Sequence, residues 1–136
     1  MKFLNEDEII GLKKINVLDD YLNKKLSEIN DFNKNQSNNN ELINTRRLTN
    51  IGLFRNYVYY YLKNHTNINQ SATLLVRQKQ ASANGLPLEV YCFTNTTDWI
   101  TYENIQSDIF DHIYSISKHF NLNIFQYNLY QFQQNK

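Results

Sequence analysis

The sequence predicts an α+β fold, a ferredoxin-like βαββαβ two-layer sandwich with a long helical insertion after the first strand. Three observations carry this. Apolar residues recur every three or four positions in three stretches, the signature of amphipathic helices. Two stretches between the second and third of these alternate apolar and polar residues, as half-buried strands do. With three glycines and the single proline Pro87, long regular elements are expected rather than many tight turns.

Lys2-Phe3-Leu4 reads as a short extended piece, so residues 1–4 are expected to end a preceding strand. Ile9, Leu12, Ile15, Leu18, Leu22, Leu26 and Ile29 then mark one face of a helix predicted from Glu6 to Asn30. The run Asn5-Glu6-Asp7-Glu8 suits its start, because the unpaired amides there favour acids. Asp31 to Asn44 is rich in Asn and has little apolar surface to bury, so it reads as a loop. Within it, Asn33 to Asn40 is expected to be mobile and dispensable. Residues 5–45 thus form the helical insertion and the Asn-rich loop.

A second helix carries Phe54, Val58, Tyr61 and Leu62 on one face, with Thr49 or Asn50 as its cap. Thr73–Gln80 and Leu86–Thr94 follow as strands. Leu74 and Val76 alternate against Thr73, Leu75 and Arg77, and Leu86, Leu88, Val90 and Cys92 against Glu89, Tyr91 and Phe93. Ala81 to Gly85 joins them as a hairpin loop, with Asn84-Gly85 suited to positive φ. A third helix is predicted from Trp99 to Phe120, its apolar face being Ile105, Ile109, Ile113, Ile116 and Phe120. Asn121 stops it, and Asn123–Tyr127 reads as a last strand. Residues 46–128 make the ferredoxin-like domain, and 129–136 are a tail.

The composition narrows the function classes. In 136 residues, 41% are hydrophobic and 20% charged, which suits one folded domain. Aromatics reach 14%, so ring packing supplies much of the core. A net charge of +1 lacks the basic excess of a phosphate-binding protein, and no nucleic-acid partner is expected. Cys92, the only cysteine, allows neither an internal disulfide nor a cysteine metal cluster. No stretch approaches the roughly 20 apolar residues that span a bilayer. The start MKFLNEDEII lacks the apolar core of a signal peptide, so the chain is expected to be soluble and cytoplasmic.

The side chains that carry chemistry do not assemble into a catalytic pattern. Asp108 and His112 lie one helical turn apart, with Asp111 and His119 nearby, but two convergent ligands are not a metal site. No metal and no cofactor is therefore expected. Cys92 has no neighbouring base in sequence and reads as a small buried apolar residue. His65 falls at a helix end, where its partial positive character is favoured. Arg46, Arg47 and Arg55 form a basic cluster that reads as salt-bridge or subunit-contact residues. In CFTNTTDW (Cys92 to Trp99), short polar side chains at Thr94, Asn95, Thr96 and Thr97 can bond to nearby backbone. With Asp98 at the helix start and Trp99 as an apolar anchor, they are expected to form a rigid strand-to-helix joint. No enzyme activity is expected.

Four ordered blocks also carry a family resemblance. NTRRLTNIGLFRNYVYYYL (Asn44 to Leu62), TLLVRQ (Thr73 to Gln78), GLPLEVYCFTNTTDW (Gly85 to Trp99) and YENIQSDIFDHI (Tyr102 to Ile113) resemble the C-terminal cytoplasmic region of small-conductance mechanosensitive channels. They are most similar to its miniconductance-like branch. The resemblance implies a channel that opens under membrane tension and releases solutes after hypoosmotic shock. It implies a heptamer whose subunits are each other's partners, with a hollow vestibule on the cytoplasmic side of the bacterial inner membrane. This chain would reach the membrane only through an N-terminal part it does not contain. Asp108 and Asp111 are candidates for charge lining the ion path. The alternative is a free-standing ferredoxin-like regulatory domain that binds a small ligand or a protein partner.

Overall fold

The computed structural model describes residues 1–36 and 41–127 of the chain. Helix α1 spans Glu6–Lys13 and starts at a reciprocal cap: the Glu8 amide donates to Asn5 Oδ1 at 2.9 Å, and the Asn5 amide donates to Glu8 Oε2 at 3.1 Å. The single helix expected to Asn30 is instead broken. Ile15 is extended, Asn16–Leu18 forms a 3₁₀ turn, and α2 begins afresh as Asp19–Lys34. The break lets Leu12, Leu18 and Leu22 all reach the core, and Leu18 and Leu22 are wholly buried.

The Asn-rich segment is also corrected in part. α2 continues through residues 31–34, and Asn33 is not a free surface residue. Its side chain donates to the Arg46 carbonyl at 3.0 Å and accepts from the Arg46 amide at 2.8 Å. This clasp fastens the two sides of the segment together. The expectation for residues 37–40, like that for the 129–136 tail, lies outside the described residues.

Helix α3, Asn50–Lys63, is the centre of the fold. Thr49 is its cap, accepting from the Gly52 amide at 3.2 Å. A Cβ at Gly52 would stand 2.8 Å from Thr49 Oγ1, so the capping contact itself requires glycine there. Ile51, Leu53, Phe54, Tyr57, Val58 and Leu62 are buried along α3. One cluster joins them to Leu18 and Leu22 on one side and to Val76, Ile109 and Phe120 on the other.

Strands β1 (Leu75–Gln78) and β2 (Leu88–Tyr91) pair antiparallel, with Val76 opposite Val90 and Arg77 opposite Glu89. The predicted alternation holds: Val76 is buried, whereas Leu75, Arg77 and Tyr91 are exposed. Between them Ser82 and Gly85 exchange backbone bonds of 2.8 and 3.0 Å, and Gly85 takes a φ of 111°. The strands are shorter than predicted at both ends; at the hairpin end the ladder closes at the Lys79–Pro87 contact, because proline has no N–H to extend it.

Helix α4, Trp99–Ile116, buries Ile105, Ile109 and Ile113 as predicted. A 3₁₀ turn, Ser117–Phe120, continues it, and Asn121 ends it in the left-handed region at φ 52°.

The observed class is therefore α+β, with α3, β1, β2 and α4 in the predicted order. The two outer strands differ from expectation. Phe3 forms a lone bridge with Thr49 rather than joining the sheet, and Asn123–Tyr127 pairs with no strand among the described residues. Among these residues the sheet has two strands.

One buried polar side chain holds the scaffold together. Asn50 is 1% exposed. Its Oδ1 accepts from the Lys2 amide at 2.9 Å, and its Nδ2 donates to the carbonyls of Phe120 and Asn121, each at 3.1 Å. Its own amide donates to the Lys2 carbonyl at 3.1 Å.

Candidate assembly surface

The chain leaves β2 and reaches α4 through residues 92–98, the segment expected to form a joint, and this segment is stitched to the loop after α3. The Asn69 amide donates to the Phe93 carbonyl at 2.7 Å, and the Asn95 amide to the Asn67 carbonyl at 2.9 Å. Asn95 Nδ2 adds a bond to the Thr66 carbonyl at 2.9 Å. Thr94 Oγ1 donates to the Thr96 carbonyl at 2.9 Å. Asp98 Oδ2 accepts from the Thr101 amide at 2.9 Å and from its hydroxyl at 2.6 Å, capping α4.

Two members of the joint behave otherwise. The hydroxyl that turns the chain belongs to Thr96, which accepts from the Asp98 amide at 3.1 Å. Thr97 makes no side-chain hydrogen bond to the described residues. The signal was present in the sequence, since a Thr two residues before a helix cap is placed for such a turn. Trp99 is not an anchor within this chain. It is 74% exposed, and its indole N–H donates to Glu103 Oε1 at 3.0 Å. The buried stripe of α4 begins at Ile105, six residues further along, so Trp99 lies ahead of the stripe, in the helix's exposed first turn.

The Asp98 cap predicts a measurable loss. Hydrogen bonds from the Thr101 hydroxyl and then its amide hold the Asp98 carboxyl below its ordinary range. Such a group stabilises the fold above its unfolded pKa of about 4, and that contribution disappears as pH falls through the lower folded value. Asp98→Ala should lower the melting temperature by a few degrees at neutral pH, and the difference from the parent should shrink below about pH 4. Asp98→Asn keeps a capping oxygen and should recover most of the loss. A neutral-pH melting curve unchanged in Asp98→Ala would remove the cap's role.

The outer face of the sheet is apolar at one end and charged at the other. Leu75 and Tyr91 are cross-strand partners, and the Tyr91 and Phe93 rings meet edge to face at 5.3 Å. All three residues are exposed. Beside them Glu89 pairs with Arg77 and, at 3.0 Å, with Lys79, and these cations hold its carboxyl low. Ile100 adds a further exposed apolar side chain at the start of α4.

His112 has a role that sequence spacing did not reveal. Its Nε2 lies 2.7 Å from the Tyr57 hydroxyl, and its ring stacks on Tyr61 at 4.2 Å. It therefore ties α4 to α3. Burial pushes both phenols up, with the Asp108 charge adding to the rise at Tyr61. Among the described residues no three His, Cys, Asp or Glu side chains come together as metal ligands. Cys92 is half-buried, and burial pushes its thiol up, away from the reactive thiolate.

Within the chain the three arginines have different surroundings. Arg46 reaches back to α2, with Nη1 3.1 Å from Glu28 Oε1 and its guanidinium 5.3 Å from the centre of the Phe32 ring. Arg47 makes a long contact of 3.4 Å to Thr45 Oγ1. Arg55 is half-buried on α3.

A groove of about 630 Å³ opens beside β2. Leu88 and Val90 line it from β2, and Phe110, Ile113 and Tyr114 from α4. Ile124 and Phe125 line it from the segment after α4, and Met1 also contributes. Among the described residues its lining holds no Asp, Glu, His, Lys, Arg or Cys.

Residues 19–124 match the family model described as the C-terminal part of the mechanosensitive ion channel MscS. A relative, the low conductance mechanosensitive channel YnaI of Escherichia coli (strain K12), is 40% identical over 60 residues, covering 44% of this chain and 18% of that protein. The match thus spans less than a fifth of that relative's length. Among the described residues, no helix is long and apolar enough to cross a membrane. The family is one of channels rather than enzymes. With most of its length matched, the chain belongs to the MscS mechanosensitive ion channel family, as its C-terminal domain.

Proposed function

We propose that this chain is the cytoplasmic vestibule domain of a tension-gated channel that releases solutes on hypoosmotic shock. The match of residues 19–124 to the family's C-terminal domain carries the reading. The domain would lie on the cytoplasmic side of the bacterial inner membrane, joined to the membrane by other parts of its subunit. Its partners are other copies of the same subunit, seven in a ring as the resemblance implies. No cofactor, enzymatic step or nucleic acid enters this role.

The exposed apolar residues support an assembly role, because contiguous apolar surface on a folded domain marks contact sites. Leu75, Tyr91 and Phe93 on the sheet, with Trp99 and Ile100 on α4, are the residues assigned to subunit contact. Arg47 and Arg55 join them, whereas Arg46 is already paired within the chain. Thr94, Asn95, Asp98 and Thr96 hold the joint rigid, and Thr97 and Trp99 are its outward-facing members. The two-stranded ladder is read as part of a larger ferredoxin-like sheet.

Asp108 and Asp111 are exposed on α4 and are assigned to the charged wall of the ion path. Charge beside a water-filled passage alters the local ion concentration. In patch-clamp recordings of the full-length channel, neutralising both to Asn should leave the tension threshold unchanged. It should shift unitary conductance or ion preference modestly, and less at high salt, where screening is stronger. A conductance unaltered at low salt would remove these two residues from the path. Failure of the full-length gene to protect cells lacking other such channels from hypoosmotic shock would remove the channel role itself.

A further inference from the structure

We infer that Asn84-Gly85, at the tip of the β1–β2 hairpin, is a site of spontaneous covalent modification. Asn84 loses ammonia through a cyclic imide, becomes a mixture of aspartate and isoaspartate, and so unties the hairpin from Tyr127. The chain's three glycines follow Ile10, Ile51 and Asn84, so Asn84 is its one asparagine with glycine next to it. Glycine leaves the peptide nitrogen after Asn84 without a side chain beside it, and that nitrogen is the nucleophile of the reaction. The fold keeps the pair accessible. Residues 77–85 are all exposed, so the tip opens without disturbing the core. A Cβ at Gly85 would meet no atom within 4 Å, yet the φ of 111° is one that other residues rarely adopt. Conformation, not crowding, therefore keeps glycine there.

In the first step the Gly85 nitrogen bonds to Asn84 Cγ as the Cγ–Nδ2 bond breaks. Nδ2 leaves as ammonia, taking the proton that the Gly85 amide gives up. Water then opens the ring at either carbonyl, so neither an oxidant nor a reductant enters. Two hydrogen bonds must yield before ring closure. The Gly85 amide donates to the Ser82 carbonyl at 3.0 Å, and Asn84 Nδ2 donates to the Tyr127 hydroxyl at 3.2 Å. Both lie on the exposed tip, where water replaces such bonds at little cost. The consequence is structural. The nitrogen that leaves is the donor that ties the hairpin to the segment after α4. Isoaspartate also adds a carbon to the main chain, so Ser82 and Gly85 lose the register of their two-bond bridge.

This chemistry does not depend on tension gating. The test is peptide mapping by mass spectrometry on the folded 136-residue chain during incubation at mildly alkaline pH, with fragmentation to assign each asparagine. Asn84 should gain the mass of OH in place of NH2 about tenfold faster than the other asparagines. The product should accept methyl groups from an isoaspartate methyltransferase. Asn84→Gln, whose ring closure needs one more atom, should abolish both signals. Tyr127→Phe frees Nδ2 from its acceptor and should speed the reaction about twofold. A gain at Asn84 no faster than elsewhere, or one without isoaspartate, would overturn the site. A rate unmoved by Tyr127→Phe would overturn the tether to the segment after α4.

Discussion

Ile109→Asp is expected to leave the chain unfolded at room temperature. Ile109 is 7% exposed, between Ile105 at 8% and Ile113 at 7% on the buried stripe of α4. A carboxylate there loses water and meets no cation, a cost of several kcal/mol. A small domain holds only about 5–15 kcal/mol in total. Ile109→Val keeps the apolar contact and should cost about 0.5–1.5 kcal/mol. Far-ultraviolet circular dichroism with thermal melting separates the two variants. A cooperative melt of Ile109→Asp near the parent temperature would show that this face of α4 does not carry the core.

Asn50→Leu should cost nearly as much, for the opposite reason. The substitution adds apolar surface, yet it strands the Lys2 amide and the carbonyls of Phe120 and Asn121. Each buried polar group without a partner costs about 1–3 kcal/mol, and the three together should cost roughly 3–5 kcal/mol, since Lys2 keeps some access to water. Denaturant unfolding should show a lower midpoint with an unchanged slope, as a loss of stability without a change in exposed area requires. A midpoint within a few tenths of a molar of the parent would show that water takes over all three bonds.

The α4 stripe was legible because its period is unbroken from Ile105 to Ile113, and β1 was legible because Val76 alternates cleanly with Leu75 and Arg77. The break between α1 and α2 was hidden by its own regularity. Leu12, Ile15 and Leu18 are spaced by three, which fits one face of an α-helix and equally a 3₁₀ turn. Only the fold decides between them. Trp99 was misread because a large ring predicts burial when its position on the helix is ignored. Asn50 was named only as a possible cap, since nothing local shows that its partners lie 48 and 70 residues away. The bond between Tyr57 and His112, 55 residues apart, was invisible for the same reason. Long-range polar contacts leave no periodic trace in a sequence. The outer strands are a different case: their residues are β-formers, but a strand exists only where a neighbour pairs with it.

The Asn50 clasp also sets a load path. Lys2, ahead of α1, and Asn121, which ends the turn after α4, are grasped by the two ends of one amide side chain. A pull applied at Lys2 is therefore delivered to the base of α3 and to Asn121 together, through a few short hydrogen bonds, before it reaches the β1–β2 ladder. Such bonds are stiff over small displacements and yield abruptly, so a small pull on Lys2 is shared with Asn121 until the clasp breaks.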